Sequence, residues 1–204
     1  MPLNIEFSSK LLGNAIESFA SLPGVGRRTA LRLALYMLRQ PADNVSRFAD
    51  NIIKFRQQVN RCKVCHNLCD GEVCDICKDC KRDNSIICVV KDIQDVIAIE
   101  NTHQYRGTYH VLGGILSPVE GVGPADLYID SLVKRANSDI VKEVILALNS
   151  TTDGETTKFY ISQQLSACDI KLSAISSGIA VGEELEYADE ITLGRSISDR
   201  KEFK

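Results

Sequence analysis

Cys62-Lys63-Val64-Cys65 and Cys74-Asp75-Ile76-Cys77 are two Cys-x2-Cys pairs separated by eight residues. Two thiolates with two residues between them fit a tight turn and take one edge of a tetrahedron. A pair of such turns therefore supplies the four soft ligands of a structural Zn²⁺ ion, one per chain. With four protein ligands the site is closed, so the metal holds a fold together and has no open position at which to activate water. Cys69, Cys80 and His66 lie in or beside the same stretch and remain alternative ligands. Cys88 and Cys168 stand apart in apolar or amphipathic surroundings and read as inert core thiols. Clustered cysteines of this kind suit a reducing compartment, where thiols ligate metals more often than they pair. No basic segment followed by an apolar run opens the chain, and no stretch approaches the roughly 20 apolar residues of a membrane span. The expected location is the cytoplasm, with no membrane partner.

The 204 residues are 44% hydrophobic and carry a net charge of -3. That length and composition suit one moderate core or two small ones, and several modules are expected. The charge is unevenly placed: residues 1–82 sum to +5 and the remainder to -8. The positive field belongs to the front of the molecule, where a polyanion would be met.

In front of the cysteines, Ser8 or Ser9 can cap a helix with Leu12, Ala15, Ile16 and Phe19 on one face, and Pro23 ends it. After Leu22-Pro23-Gly24-Val25-Gly26 a second helix places Leu31, Ala34, Leu35 and Leu38 on one side and Arg28, Arg32 and Arg39 on another. Two helices joined through Gly24-Val25-Gly26 read as a helix-hairpin-helix motif. The glycines let the backbone approach a phosphate, and the following helix N-terminus presents unpaired N–H groups. Arg27, Arg28 and Arg32 add ionic contacts, so the expected DNA-binding residues are Gly24, Val25, Gly26, Arg27, Arg28 and Arg32. Such contacts grip the backbone without reading its sequence. Pro41 opens a third helix whose Val45, Phe48, Ile52, Phe55 and Val59 recur in steps of three and four, the spacing of a helix–helix seam.

Behind the cysteines the rhythm changes. Strands are expected at 86–90, 109–112, 144–148 and 171–175, with helices at 93–101, 125–135 and 155–167. That alternation implies a mainly parallel sheet covered by helices. The last thirty residues, with Glu183-Glu184-Leu185-Glu186-Tyr187-Ala188-Asp189, have too few apolar groups to stand alone and should dock on another module or subunit.

The order of hairpin, four-cysteine finger, Ile87-Cys88-Val89-Val90, Tyr109-His110-Val111-Leu112-Gly113-Gly114-Ile115-Leu116-Ser117-Pro118 and Glu184-Leu185-Glu186-Tyr187-Ala188-Asp189 closely resembles the bacterial recombination mediator family RecR. The resemblance covers nearly the whole chain. It implies an α/β multidomain protein: a helix-hairpin-helix domain at 1–58, a four-cysteine zinc finger at 59–82, a Toprim domain at 83–176 and a Walker B-like tail at 177–204. It also implies a homo-oligomer, a dimer or tetramer ring or clamp around DNA. Such a ring would work with RecO and RecF to load RecA on gapped DNA coated by single-strand-binding protein.

Catalytic Toprim domains hold Mg²⁺ through a Glu after the first strand and a later Asp-x-Asp, since hard oxygens suit that ion. Here Lys91 follows Val89-Val90, and the later segment runs Asn149-Ser150-Thr151-Thr152-Asp153-Gly154-Glu155. A lysine at the metal corner repels the cation. Asp92, Asp95, Asp153 and Glu155 are expected to cap helices or make protein contacts. No Gly-x4-Gly-Lys-Ser/Thr loop accompanies the acidic tail. His103 and His110 have no paired nucleophile and read as structural. The expectation is a protein without catalytic activity.

Overall fold

The computed structural model describes residues 9–176, 178–179, 182 and 184–200. The chain divides into two compact units, Met1–Gln58 and Val59–Lys204. Ser8 and Glu183 lie outside the described residues. Among those described, no helix is long and apolar enough to cross a membrane.

The first unit is helical. α1 (Lys10–Ala20) starts at Ser9, whose side chain accepts from the Leu12 N–H, and α2 (Arg27–Leu38) follows the hairpin. The two close on a small core of Ile16, Ala30 and Ala34, with Leu12, Phe19 and Val25 packed around it. Alanines at the contact let the helix axes approach closely. α3 (Ala42–Gln58) buries none of its residues, and Phe48, Ile52 and Phe55 remain 47%, 55% and 59% exposed. The seam is therefore left uncovered among the described residues.

The second unit begins with β1 (Asn60–Arg61) paired antiparallel to β2 (Leu68–Cys69) and the single-turn helix α4 (Asp75–Lys78). A four-stranded parallel sheet follows: β3 (Asp83–Val90), β4 (Gly107–Val111), β5 (Glu143–Ala147) and β6 (Lys171–Ala174), in the order β4-β3-β5-β6. Alternation along β3 sends Ile87 and Val89 to one face, with Leu132 of α6 (Ile129–Ala136) and Ile161 of α7 (Thr152–Gln164). Cys88 and Val90 go to the other, with Val96 of α5 (Ile93–Glu100). The central strands are apolar where both faces are covered, Ile87–Val90 in β3 and Val144–Ala147 in β5, whereas edge strand β6 is largely exposed.

Two helix boundaries differ from the sequence reading. The helix expected at 125–135 is broken: Pro124–Asp126 is a 3-10 turn, Leu127 is extended, and the α-helix starts at Ile129. Leu127 is buried in the core and the Tyr128 N–H donates to the Leu112 carbonyl at 3.0 Å, so this segment joins the end of β4 before turning helical. α7 starts three residues earlier than expected because the Thr151 side chain caps it by accepting from the Gly154 N–H. At Gly154 an added Cβ would lie 2.0 Å from the Asn149 carbonyl oxygen, so the β5–α7 turn closes only around glycine.

The joint behind the finger is tied by charge. Arg82 donates through two nitrogens to Glu100, at 2.8 and 2.5 Å, and the Tyr109 hydroxyl donates to the same carboxylate at 2.7 Å. The hydrogen bond from Arg82 holds the Glu100 carboxyl below its ordinary value. A lowered folded-state value contributes stability that is complete above the unfolded carboxylate range and disappears as pH falls through the folded value. Glu100→Gln should therefore cost about 1–3 kcal/mol at neutral pH. It should also flatten the acid limb of the stability curve in urea melts taken between pH 3 and 7; an unchanged acid limb would remove Glu100 from this role.

Candidate metal centre and nucleic-acid interface

The cysteine spacing builds the centre from two turns. Cys62 and Cys65 flank the turn after β1, where the Cys62 N–H donates to the Asn67 carbonyl at 2.7 Å and the His66 N–H to the Cys62 carbonyl at 2.9 Å. Cys74 is the N-cap of α4 and Cys77 lies in its single turn. The four sulfurs all lie within 4.8 Å of one another, and Cys65 and Cys74 Sγ are 3.5 Å apart. With Zn–S bonds of ~2.3 Å the edge of the tetrahedron is about 3.8 Å, so the set fits zinc with little movement. The Cys74 N–H points at Cys62 Sγ, 3.3 Å away, and would hold that thiolate in place.

Four thiols at this separation cannot share their protons evenly. The hydrogen bond from Cys65 holds the Cys74 thiol low, whereas that same bond, then contact with Cys77 and burial, pushes Cys65 up. A divalent cation removes that conflict by favouring thiolate at every corner.

The alternative ligands are engaged elsewhere. His66, at φ 62°, turns away from the sulfurs: its ring stacks on Tyr128 with 3.9 Å between centroids and its Nε2 lies 2.9 Å from Ser131 Oγ. Cys69 Sγ donates to the Gly71 carbonyl, and Cys80 is exposed outside the cluster. The histidines are structural in their contacts. His110 is fully buried and hydrogen-bonds the Tyr128 carbonyl through Nε2 at 2.8 Å, which makes Nε2–H the donor and leaves Nδ1 without a partner among the described residues. Burial lowers its pKa to about 3, so the ring is neutral. His103 lies just past the end of α5, its N–H bonded to the Glu100 carbonyl. Cys88 is a core thiol pushed up to about 12 by burial. Cys168 departs from the expectation: it is only half-buried, because it follows the end of α7 where its thiol donates to Asn137 Oδ1 at 3.2 Å.

Composition gave no sign of the finger's attachment. The Cys65 carbonyl accepts from the Val111 N–H at 2.8 Å, at the end of edge strand β4, and the Arg61 guanidinium lies 5.8 Å from the Tyr128 ring centroid. Tyr128, Ser131 and Arg61 escaped sequence reasoning because stacking across about sixty residues of chain leaves no local signature.

In the hairpin, Gly24 takes φ +78°, a left-handed conformation that L side chains rarely adopt. Gly26 is not left-handed; it is the extended N-cap of α2 and offers no side chain to cap it. The N–H groups of Arg27, Arg28 and Thr29 consequently have no acceptor among the described residues. Arg27 lies 4.0 Å from Glu17 in an exposed pair, while Arg28 and Arg32 have no carboxylate partner among the described residues.

Of the four acids expected to cap helices or make protein contacts, Asp92, Asp95 and Glu155 do so, whereas the Asp153 carboxylate has no partner among the described residues because Thr151 caps α7 in its place. Asp92 caps α5 by accepting from the Gln94 and Asp95 N–H groups, and Asp95 accepts from those of Lys91 and Asp92. Glu155 binds Lys158 at 3.4 Å and Arg195 at 3.2 Å. Arg195 belongs to α8 (Glu190–Ser198) in the tail, which is capped by Asp189 accepting from Thr192. One half-exposed ion pair thus links the tail to the N-terminal turn of α7.

Four family models match in chain order: the RecR helix-hairpin-helix at 12–55, the RecR four-cysteine zinc finger domain at 59–79, the Toprim domain at 85–176 and the RecR C-terminal region at 178–201. Similar proteins named Recombination protein RecR include that of Parabacteroides distasonis, 57% identical over 98% of this chain and 97% of its own length. That of Porphyromonas gingivalis is 56% identical over 97% and 96%, and that of Flavobacterium psychrophilum 54% over 98% and 97%. The chain belongs to the RecR family. Its RecR finger takes one structural zinc ion, for which the four clustered sulfurs have the right chemistry and spacing.

Zinc binding to thiolates releases protons, so the ion should be retained at neutral pH and lost as the solution is acidified. Metal analysis should return one zinc per chain. Chelation should expose the end of β4 to hydrogen exchange at Val111; protection of that amide unchanged by chelation would show that the finger does not hold it.

Proposed function

We propose that this RecR-family protein is a non-enzymatic mediator of DNA repair and recombination that grips the DNA backbone through its hairpin and acts as an oligomeric ring or clamp. The observation that carries the reading is the hairpin exit, where three N–H groups adjoin Arg28 and Arg32, none of them with an acceptor or carboxylate partner among the described residues. Gly24, Val25 and Gly26 shape that contact, and Arg27, Arg28 and Arg32 supply its charge. Cys62, Cys65, Cys74 and Cys77 are the zinc ligands. In this reading residues 1–58 bind DNA, 59–82 form the finger, 83–176 the Toprim domain and 177–204 the tail.

The uncovered apolar stripe of α3 supports self-association, since a lone chain leaves Phe48, Ile52 and Phe55 in water. One hairpin makes few phosphate contacts, and several on one ring raise each other's effective concentration on the same DNA. Lys91 and the engagement of Asp92, Asp95 and Glu155 support the absence of Mg²⁺ chemistry. The family resemblance supplies the partners: RecO and RecF, with RecA loaded on gapped DNA coated by single-strand-binding protein, in the cytoplasm.

Arg27→Ala with Arg28→Ala should weaken duplex binding and make the log–log salt dependence shallower by about 2 units. An unchanged slope in a fluorescence anisotropy titration would rule out the hairpin as the grip. Phe48→Ser with Phe55→Ser should lower the mass measured by light scattering at micromolar protein and weaken DNA binding with it; a mass unaffected by both changes argues against α3 as an assembly surface. Incubation with labelled DNA and Mg²⁺ should yield no nicking, cleavage or primer synthesis, and any turnover abolished by Asp95→Asn would overturn the non-enzymatic assignment.

A further inference from the structure

α2 carries more than its N-terminus. No Asp or Glu occurs between Glu17 and Asp43, and four arginines fall in that interval. At 3.6 residues per turn, Arg28, Arg32 and Arg39 lie within roughly 40° of arc on the helix surface, and Tyr36 follows within about another 40°. This face lies away from Ala30 and Ala34, which pack on α1. Arg28, Arg32, Leu35, Tyr36 and Arg39 line an open groove of about 550 Å³. Tyr36 is 58% exposed, and neither Arg32 nor Arg39 has a carboxylate partner among the described residues.

Tyr36 stands four residues after Arg32 and three before Arg39, the spacings at which helical side chains are neighbours. The ring is thus bracketed by two guanidiniums about 10 Å apart along the axis. A duplex backbone calls for the cations alone, because paired bases stack on each other and offer only their edges. An unpaired strand offers base faces alternating with phosphates, which is what an exposed ring between two cations fits. We propose that the outer face of α2 is a single-strand track, in which Tyr36 stacks on an unpaired base while Arg32 and Arg39 hold the flanking phosphates. The track rests on the DNA-binding reading of this domain and extends it about two turns beyond Arg32.

The chain contains no Trp, so Tyr36→Trp introduces a single emission reporter. Its emission should be quenched by oligo(dT) and remain unchanged with blunt duplex. In anisotropy titrations of the full-length protein, Tyr36→Ala should weaken oligo(dT) binding about tenfold or more. Duplex binding should stay within about twofold, which also shows that the variant is folded. Tyr36→Phe should retain the wild-type affinity, and Arg39→Ala should weaken oligo(dT) binding with a shallower salt dependence. On an abasic strand of the same length, wild type and Tyr36→Ala should bind alike.

Equal losses on duplex and single strand would overturn the track, as would an unaltered oligo(dT) affinity or a persisting difference on the abasic strand. Quenching of the Trp reporter by polyglutamate but not by oligo(dT) would assign the face to an acidic protein instead. The hairpin is judged separately: if Arg27→Ala with Arg28→Ala leaves duplex binding intact while Tyr36→Ala still weakens oligo(dT), the hairpin reading fails and the track stands.

Discussion

Four sulfurs within 4.8 Å of one another form a cluster that water and protein alone cannot satisfy once the thiols ionise. Like charges at that separation repel, and the cluster sits in a segment too short to build its own apolar core. The cation that neutralises them supplies folding energy directly, roughly 10–16 kcal/mol for structural zinc at neutral pH. That energy positions more than a knuckle. It sets the Cys65 carbonyl against the Val111 N–H and turns His66 onto Tyr128. One hydrogen bond at the end of edge strand β4 and the His66–Tyr128 stack thus tie the finger to the sheet domain, and the two fall in one compact unit.

The two units handle polar groups in opposite ways. In the sheet domain, Asp92 and Asp95 are engaged in a helix cap and Glu155 in an ion pair with the tail arginine Arg195. In the helical unit, donors are left without acceptors: Gly26 caps nothing, and Arg28, Arg32 and Arg39 face outward with no carboxylate partner among the described residues. Such a surface is stable in water because each group is solvated, and it gains strongly when a polyanion replaces that solvent and releases its own counterions. The exposed α3 stripe adds an apolar surface beside it in sequence, so one short unit carries both a basic face and an apolar one.

Much of the fold was legible because its signals are local. Cysteine spacing identified the metal centre, and the structure brings together the same four residues. Glycines around Val25 marked the hairpin, although only Gly24 needs a positive φ and Gly26 acts as an uncapped helix start. Alternating apolar runs located every strand of the sheet. One misplaced boundary reflects a distant contact, since the Leu112 carbonyl draws Tyr128 out of the helical pattern, and the other a local cap at Thr151 that periodicity does not record. Cys168 read as a core thiol from its apolar neighbours, yet it follows the helix end and remains half-buried.

Ligand identity, hairpin chemistry and the parallel architecture were fixed by residues near one another in the chain, since turns, caps and pleats involve few neighbours and leave a short-range pattern. The role of His66, the bond from the finger to the end of β4, the pairing of Glu155 with the tail and the solvent-facing seam of α3 came from packing. Each of these brings together groups dozens of residues apart or depends on what fails to cover a side chain, and no spacing rule along the chain records either.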